Sequence, residues 1–484
     1  MAEAQNNIPI LHRAEWQTMM PAPTVTAAGG LCVHSNDNLS RFTMYYASGT
    51  VFYLYDHEQD DWLPIASPAI LPAIAAGACG CHTPWSGNFT ANGGSTTTIT
   101  VNAAVHNING FAVGETVEFL TGTAANIGLR RTILSILTPA TATGTITLTL
   151  SSAVSSSVAN TDTFRLSTGR FWMCATGTLV AASFQVYDVV VGTWTQRAIT
   201  GLPAAITIDS KMCSPGMIGV SYDTGTAAAS SNTTTLDCTG KAWTNDQWIN
   251  YQVRITGGTG MGQIRVITDN DADSLTFAAG ADLDDTSTFV IEGDENAIYY
   301  LGNDAVTMYK YSISGNSWAT VSPTTARNTK PGVGMTADFV GKTGDTGWAD
   351  ITNIKDGRYI YSLRGAGTTV IDRFNISGGT NGAGAWEVIA YHPVSATFST
   401  GSSSDWAGEF IYIAKEGSAT VPQRFYRYNV VTNRMITTAT DWYLGGAALI
   451  GNKMWVRSLS SAGAIKWMYC LQSTSTNLRR VMLF

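Results

Sequence analysis

Three stretches of this chain repeat one aromatic pattern at one spacing, and a recurring spacing constrains a fold more than any single motif. They are FYLYDHEQDDW (52–62), FQVYDVVVGTW (184–194) and TMYKYSISGNSW (307–318). In each, a tyrosine stands seven residues ahead of a tryptophan: Tyr55 and Trp62, Tyr187 and Trp194, Tyr311 and Trp318. A fourth stretch, 425–435, keeps the spacing with Tyr428 and Met435. A fifth, 373–386, fits if a Gly-rich turn has lengthened between Phe374 and Trp386, and a sixth, 466–481, matches around Tyr469. The physical unit is a hairpin. One aromatic ends a strand, a short turn of Asp, Asn or Gly follows, and a second aromatic opens the returning strand.

A strand with its own aromatics precedes each unit: 41–47, 169–175, 296–302, 357–363, 408–414 and 451–457. Six such pairs in one order predict six blades. Small-residue segments at 29–35, 216–223, 332–339 and 445–451 read as innermost strands, where blades crowd around an axis. Composition agrees with an all-β chain. Only 13% of residues are charged, too few for the polar faces of long amphipathic helices, while 10% are aromatic and 48 are Gly.

The glycine doublets Gly29-Gly30 and Gly445-Gly446, together with the Tyr-to-Trp hairpins, resemble the kelch family of β-propellers. That resemblance covers the blade segments and implies a six-bladed kelch-like propeller.

Blades two and three are interrupted between their first and second strands. The first insertion holds STTTITV (95–101), GETVEFL (114–120), GLRRTILSIL (128–137), TGTITLTL (143–150) and DTFRL (162–166). The second holds NTTTLDC (232–238), NYQVRITGG (250–258), GQIRVITDN (262–270), DSLTF (273–277) and STFVI (287–291). The order of elements is the same in both, and alternating β-branched and polar residues mark half-buried strands. Duplicated five-stranded barrels or sandwiches are expected. The predicted organisation is an N-terminal arm (1–28), propeller (29–82), first inserted β-domain (83–168), propeller (169–223), second inserted β-domain (224–295) and propeller (296–484).

The Thr/Gly-rich insertions, with a hairpin such as Gly260–Arg265, resemble pieces of bacteriophage tail and baseplate proteins. A propeller carrying them looks like the tail nozzle, or tail tubular, protein of short-tailed phages. That resemblance implies a virion (tail) structural protein forming a homo-oligomeric, hexameric ring that continues the DNA channel. Its partners would be an adaptor and tail fibres, with DNA met only in passage. A glycan-binding adhesin or appendage is the alternative, and a secreted propeller enzyme the third reading.

Several signals were weighed as chemistry. Cys79-Gly80-Cys81-His82 lacks a second ligand pair nearby, so buried thiols are expected rather than zinc. Asp269, Asp271 and Asp273 alternate like the start of a calcium loop, but Ser274 and Gly280 stand where Gly and Glu are required, so a polar turn is expected. Gly341-Lys342-Thr343 lacks the first glycine of a phosphate loop, Thr336 standing there. The histidines (His12, His34, His57, His82, His106 and His392) have no metal-binding spacing, no G-x-S-x-G elbow occurs, and YSISGNSW (311–318) lacks the Asp of a sialidase box. Trp85, Trp243, Trp348 and Trp406 lie outside the blade pattern and could stack on sugars; packing of the insertions is the expected role. No catalytic, metal or cofactor residue is predicted.

The net charge of −7, with paired basic residues only at Arg130-Arg131 and Arg479-Arg480, excludes a nucleic-acid-binding footprint. No run of about 20 apolar residues predicts a membrane segment, and the start, MAEAQNNIPILHRAEW, does not read as a secretory signal. Seven scattered cysteines, an odd number, predict reduced thiols in cores. The arm carries Ile8, Ile10, Leu11, Trp16, Met19 and Met20, then Pro21 and Pro23. It either adds a strand to the last blade or docks on a partner. If NLRRVMLF (477–484) is already the outer strand of that blade, docking on a partner is the expectation.

Overall fold

The structure is a computed structural model. It describes residues 17–23, 31–34, 42–48, 51–57, 59–69, 74, 78–103, 111–140, 143–175, 177–206, 210–216, 221–302, 307–326, 332–337, 359–364, 370–391, 403–407, 410–415, 424–429, 432, 434–437, 453–458, 466–471 and 477–483. The chain is all-β, and helix among the described residues is confined to short 3-10 turns.

Six four-stranded antiparallel sheets follow one another along the chain. Sheet I contains Leu31–His34, Phe42–Ser48, Val51–Asp56 and Asp61–Ile65. Sheet II contains Cys79–Thr83, Arg170–Cys174, Phe184–Asp188 and Thr193–Gln196. Sheet III contains Lys211–Cys213, Ala297–Leu301, Met308–Ser312 and Ser317–Val321. Sheet IV runs Gly332–Ala337, Tyr359–Arg364, Val370–Asn375 and Ala385–Tyr391, and sheet V runs Ser403–Ala407, Phe410–Lys415, Arg424–Asn429 and Arg434–Thr437. Sheet VI takes Lys453–Ser458, Lys466–Leu471, Leu478–Leu483 and, as its outermost strand, Gln17–Thr18.

The Tyr-to-Trp spacing has a geometric cause. Tyr55 pairs across the hairpin with Trp62, Tyr187 with Trp194 and Tyr311 with Trp318. Their ring centroids lie 5.0, 5.2 and 4.9 Å apart. Reversing the chain in so few residues needs a left-handed residue five after the tyrosine, and Asp60 (φ 52°), Gly192 (φ 72°) and Asn316 (φ 47°) supply it. In two hairpins that residue also accepts the phenol: Tyr55 donates to Asp60 Oδ1 and Tyr311 to Asn316 Oδ1, each at 2.6 Å. Phe374 and Trp386 are paired in register too, their longer loop containing the 3-10 turn Thr380–Gly382.

Aromatics also join successive sheets. Phe52 of sheet I meets Trp194 of sheet II at 5.2 Å, and Phe184 of sheet II meets Trp318 of sheet III at 5.1 Å. Tyr299 of sheet III meets Phe374 of sheet IV, and Tyr361 of sheet IV meets Tyr428 of sheet V, each at 6.4 Å. The first strands of sheets V and VI pack together. Tyr469 of sheet VI then meets Tyr55 of sheet I at 6.0 Å.

Two expectations about this frame change. The described part of the N-terminal arm, residues 17–23, packs on its own chain: Gln17 and Thr18 pair with Arg480 and Arg479, and the amide of Met19 donates to Leu478 O at 2.9 Å. Met19 and Ala22 are buried with Tyr55, Trp62, Tyr469 and Leu478. The reason is a shift of one strand in sheet VI. Lys453–Ser458 is its first strand rather than its second, so Leu478–Leu483 is third and leaves a ladder edge for the arm. Sheet III likewise starts at Lys211–Cys213, not within 216–223. The segment 445–451 lies outside the described residues.

Gly177–Thr178 and Ala205–Ile206 form a two-stranded sheet, and the remaining strands form two barrel-like six-stranded sheets, within 89–166 and 223–293. We call them modules A and B. In A the spatial order is Phe89–Thr90, Thr163–Leu166, Thr116–Thr121, Arg130–Leu137, Thr145–Leu150, Thr98–Asn102. In B it is Asp223–Thr226, Thr288–Gly293, Tyr251–Gly257, Ile264–Asn270, Ser274–Phe277, Thr235–Asp237. Numbered along the chain both read 1-6-3-4-5-2. In each, a bulge at the same place in the fourth strand, after Ile133 and after Ile267, bends the sheet around its core. The modules have six strands rather than five, because the short first strands Phe89–Thr90 and Asp223–Thr226 carry too few residues to show a period.

Candidate functional site

Among the described residues, the cysteines and aspartates singled out for chemistry serve in packing and turns. In the strand Cys79–Thr83, Cys79 and Cys81 point into the core shared with Trp172 and Phe184, whereas His82 sits against Phe171 with Nε2 3.1 Å from Thr168 O. Alternation along the strand therefore separates the thiols from the imidazole. Among the described residues no group of three His, Cys, Asp or Glu side chains is arranged to hold a metal. The Asp271 carboxylate accepts the amides of Asp273 and Ser274, at 3.0 and 2.9 Å, and Asp273 accepts the amide of Lys241. These aspartates build a turn. Gly341-Lys342-Thr343 and Trp348 lie outside the described residues, as do His12, His106 and His392. Nothing is described of the Trp406 and His34 side chains.

Trp243 is buried in module B with Trp248 and Tyr251. Its indole donates to Asp223 Oδ2 at 2.7 Å. Trp85 is also buried, at the foot of module A, and leads to the feature that sequence reading missed. The guanidinium of Arg165 lies 4.2 Å and that of Arg130 5.0 Å from its ring centroid, and its indole donates to Glu295 at 2.5 Å. Around this tryptophan the two modules meet through a chain of ion pairs. Glu118 holds Arg130 at 3.0 Å and Arg165 at 2.5 Å within module A. Arg130 reaches across to Glu292 at 3.3 Å, Arg165 reaches across to Glu295, and Arg254 holds Glu292 at 2.7 Å within module B.

The carboxylates are almost fully covered, with side-chain exposures of 2% for Glu118 and 4% for Glu292. Three arginines face three glutamates, so the face is neutral in sum, as burial of charge requires. Burial alone would raise Glu295, but Arg165 and Arg130, with the Arg165 and Trp85 hydrogen bonds, hold it below the usual carboxylate range. For Arg130 and Arg165, burial opposes the charge and the glutamates outweigh it, so both are held above the ordinary guanidinium value. Arg130, Arg165 and Glu295 are thus kept ionised.

Each module is also seated on the frame. Val190, in the turn of sheet II, belongs to the core of module A. Asn250 of module B donates to the carbonyls of Ile376 and Gly382, both at 3.0 Å, in the hairpin of sheet IV. Sequence alone could have hinted at the contact through one shared tetrapeptide pattern, Gly128-Leu129-Arg130-Arg131 and Gly262-Gln263-Ile264-Arg265. It could not show that the two copies touch. No family model matches the chain, and no curated protein is significantly similar to it.

Proposed function

We propose that the chain is a six-bladed β-propeller bearing a paired β-domain, and that it serves as a virion structural component of the tail-nozzle kind. The six successive sheets would be the blades, with the arm strand completing the sixth. The observation that carries this reading is a repeated inter-sheet tie. The indole N–H of Trp194 donates to Ala66 O at 2.7 Å, that of Trp318 to Ala198 O at 3.0 Å and that of Trp62 to Met20 O at 3.1 Å. Each acceptor lies just beyond the fourth strand of the preceding sheet, and Met20 occupies that place for sheet VI. A series that repeats the same tie across its own seam supports a closed disc.

The role in this reading is mechanical. Aromatic ties and buried ion pairs make a stiff body, and the projecting modules offer surface for neighbouring proteins. A DNA channel would lie between copies rather than through one. Along the first strands of sheets II and III, Cys79, Cys81, His82 and Cys213 are buried against protein. A net charge of −7 suits a wall past which DNA slides without sticking.

Electron microscopy of the purified protein, with native mass spectrometry, tests the reading. A closed ring of several copies around an open centre is expected. A monomer at micromolar concentration that binds glycans on an array would replace the nozzle with an adhesin.

A further inference from the structure

The two modules touch at the same residue of each. Gly128 and Gly262 are equivalent by fold: the amide of Gly128 donates to Phe119 O at 2.8 Å and that of Gly262 to Ile255 O at 2.9 Å. Arg131 pairs with Val117 as Arg265 pairs with Val253. These two glycines also face each other, so closely that a Cβ on Gly128 would stand 2.5 Å from the Cα of Gly262. Both have left-handed backbone, with φ of 77° and 87°, which further restricts the positions to glycine. The contact is reciprocal: a Cβ on Gly128 would also approach Met261, and one on Gly262 would approach Ile127, the position equivalent to Met261, the exchange that an approximate twofold axis between the modules produces.

Such an axis sets one residue of the first module against another of the second, and the equivalents of the two against each other. In a pair of identical modules Arg130 would therefore face Ser167 instead of Glu292, and Glu292 would face Ile264 instead of Arg130, leaving buried charges without their partners. Here the counterparts differ. Glu118, paired across the sheet with Arg165, has as its equivalent Arg254, paired with Val290. Arg130 is matched by Ile264, Arg165 by Val290 and Glu292 by Ser167. Module A thus brings Arg130, Arg165 and Glu118 to the face, one net positive charge. Module B brings Arg254 and Glu292, and Glu295 follows two residues after its last strand, together one net negative charge.

We propose that this face is a quasi-twofold docking surface whose charge pattern accepts only the unlike module, so that A closes on B and rejects a second A or a second B when several copies assemble. The inference stands on the module geometry alone and does not need the viral role. Its consequence for any assembly is that contacts between copies use other surfaces, with the A–B pair presented as one body.

The test uses the full chain with nitroxide labels on Ala125→Cys and Asp285→Cys, both exposed positions, and reads the distance between modules by pulsed electron resonance. One narrow distance is expected for the parent. Arg254→Glu combined with Glu292→Arg keeps an ion pair inside module B but sets an arginine against Arg130 and a carboxylate against the side of Glu118. Loss of the narrow peak, with far-ultraviolet dichroism unchanged, is the expected result. Arg254→Met combined with Glu292→Leu removes the charges without reversing them, and the narrow peak is expected to persist. A narrow peak in the reversed chain would overturn the proposal. So would separation of the modules in the neutral chain, a result that counts even where the reversed chain does not fold.

Discussion

The indole of Trp62 donates to the backbone carbonyl of Met20, 42 positions earlier in the chain, at 3.1 Å. Asp60 sits beside this tie and does two further things: its Oδ1 accepts the amide of Met20 at 2.9 Å and the phenol of Tyr55 at 2.6 Å. Arm, hairpin turn and the neighbouring sheet therefore share one carboxylate. Asp60→Ala is expected to lower unfolding stability by about 1–3 kcal/mol, the usual consequence of leaving such donors without an acceptor. Asp60→Asn, which tolerates the left-handed backbone and keeps an acceptor oxygen, is expected to cost under about 1 kcal/mol. Urea titration of the two variants separates these outcomes, and proteolysis within the arm should accelerate only in the first.

A subtler substitution tests the inter-sheet tie itself. Trp318→Phe keeps an aromatic against Phe184 and Tyr311 but removes the donor to Ala198 O. A loss of about 1–3 kcal/mol is expected, hydrogen bond and lost ring volume together. A thermal midpoint within a degree of the parent would show that the tie contributes little.

The buried carboxylate of Glu295 between the modules makes an acid prediction. Glu295 is held below its ordinary range, by Arg165 and Arg130 against the opposing effect of burial. A group with a depressed folded value contributes stability above its unfolded value, near 4.3, and that stability is lost as pH falls through the folded value. Modules A and B are expected to loosen below about pH 4, before the frame unfolds, as measured by amide exchange in residues 128–133 and 262–266. Glu118→Gln at neutral pH should mimic this in part. It weakens the acceptor shared by two buried arginines, and a cost of about 3–5 kcal/mol is expected by denaturant titration.

Thiol chemistry gives the alkaline counterpart. Cys79, Cys81, Cys174, Cys213, Cys238 and Cys470 are all buried. Burial pushes the Cys238 thiol up to about 12, and burial likewise raises Cys81 and Cys213. An acid whose folded value is raised holds its full contribution below the unfolded value, near 8.5, and loses it as pH climbs through the folded one. Stability should therefore decline above about pH 8.5. An aromatic disulfide reagent at pH 8 should leave these six thiols unmodified until denaturant is added. Rapid native labelling of any of them would contradict the burial.

What could be read from the sequence follows from what each feature depends on. The Tyr-to-Trp hairpins are local: pairing and the left-handed turn residue are set within eight residues, so spacing carried the information. Trp85 and Trp243, which stand outside the blade pattern, are packing residues, the role expected of them. Sheet VI was harder, since Tyr469 faces Arg480 across the ladder instead of a tryptophan, and the register slid by one strand. Lys211–Cys213 is too short and too polar to announce an inner strand. The inter-module face was out of reach for a different reason. Glu118, Arg130, Arg165, Arg254, Glu292 and Glu295 each look like ordinary surface charge in sequence, and only the docking of one module on the other buries them.

The arm has one more consequence, in time rather than in energy. Gln17 Oε1 accepts from Arg480 Nε at 2.9 Å, a partner 463 positions further along the chain. At a synthesis rate of about 5–20 residues per second, the arm waits roughly 20–90 s for its place to exist. Throughout that interval Met19 and Trp62 lack their final cover, and the edge of Leu478–Leu483 has not been made. The nascent chain thus carries an unmatched apolar segment until Leu478–Leu483 has emerged, which makes docking of the arm the step most open to aggregation and to capture by chaperones.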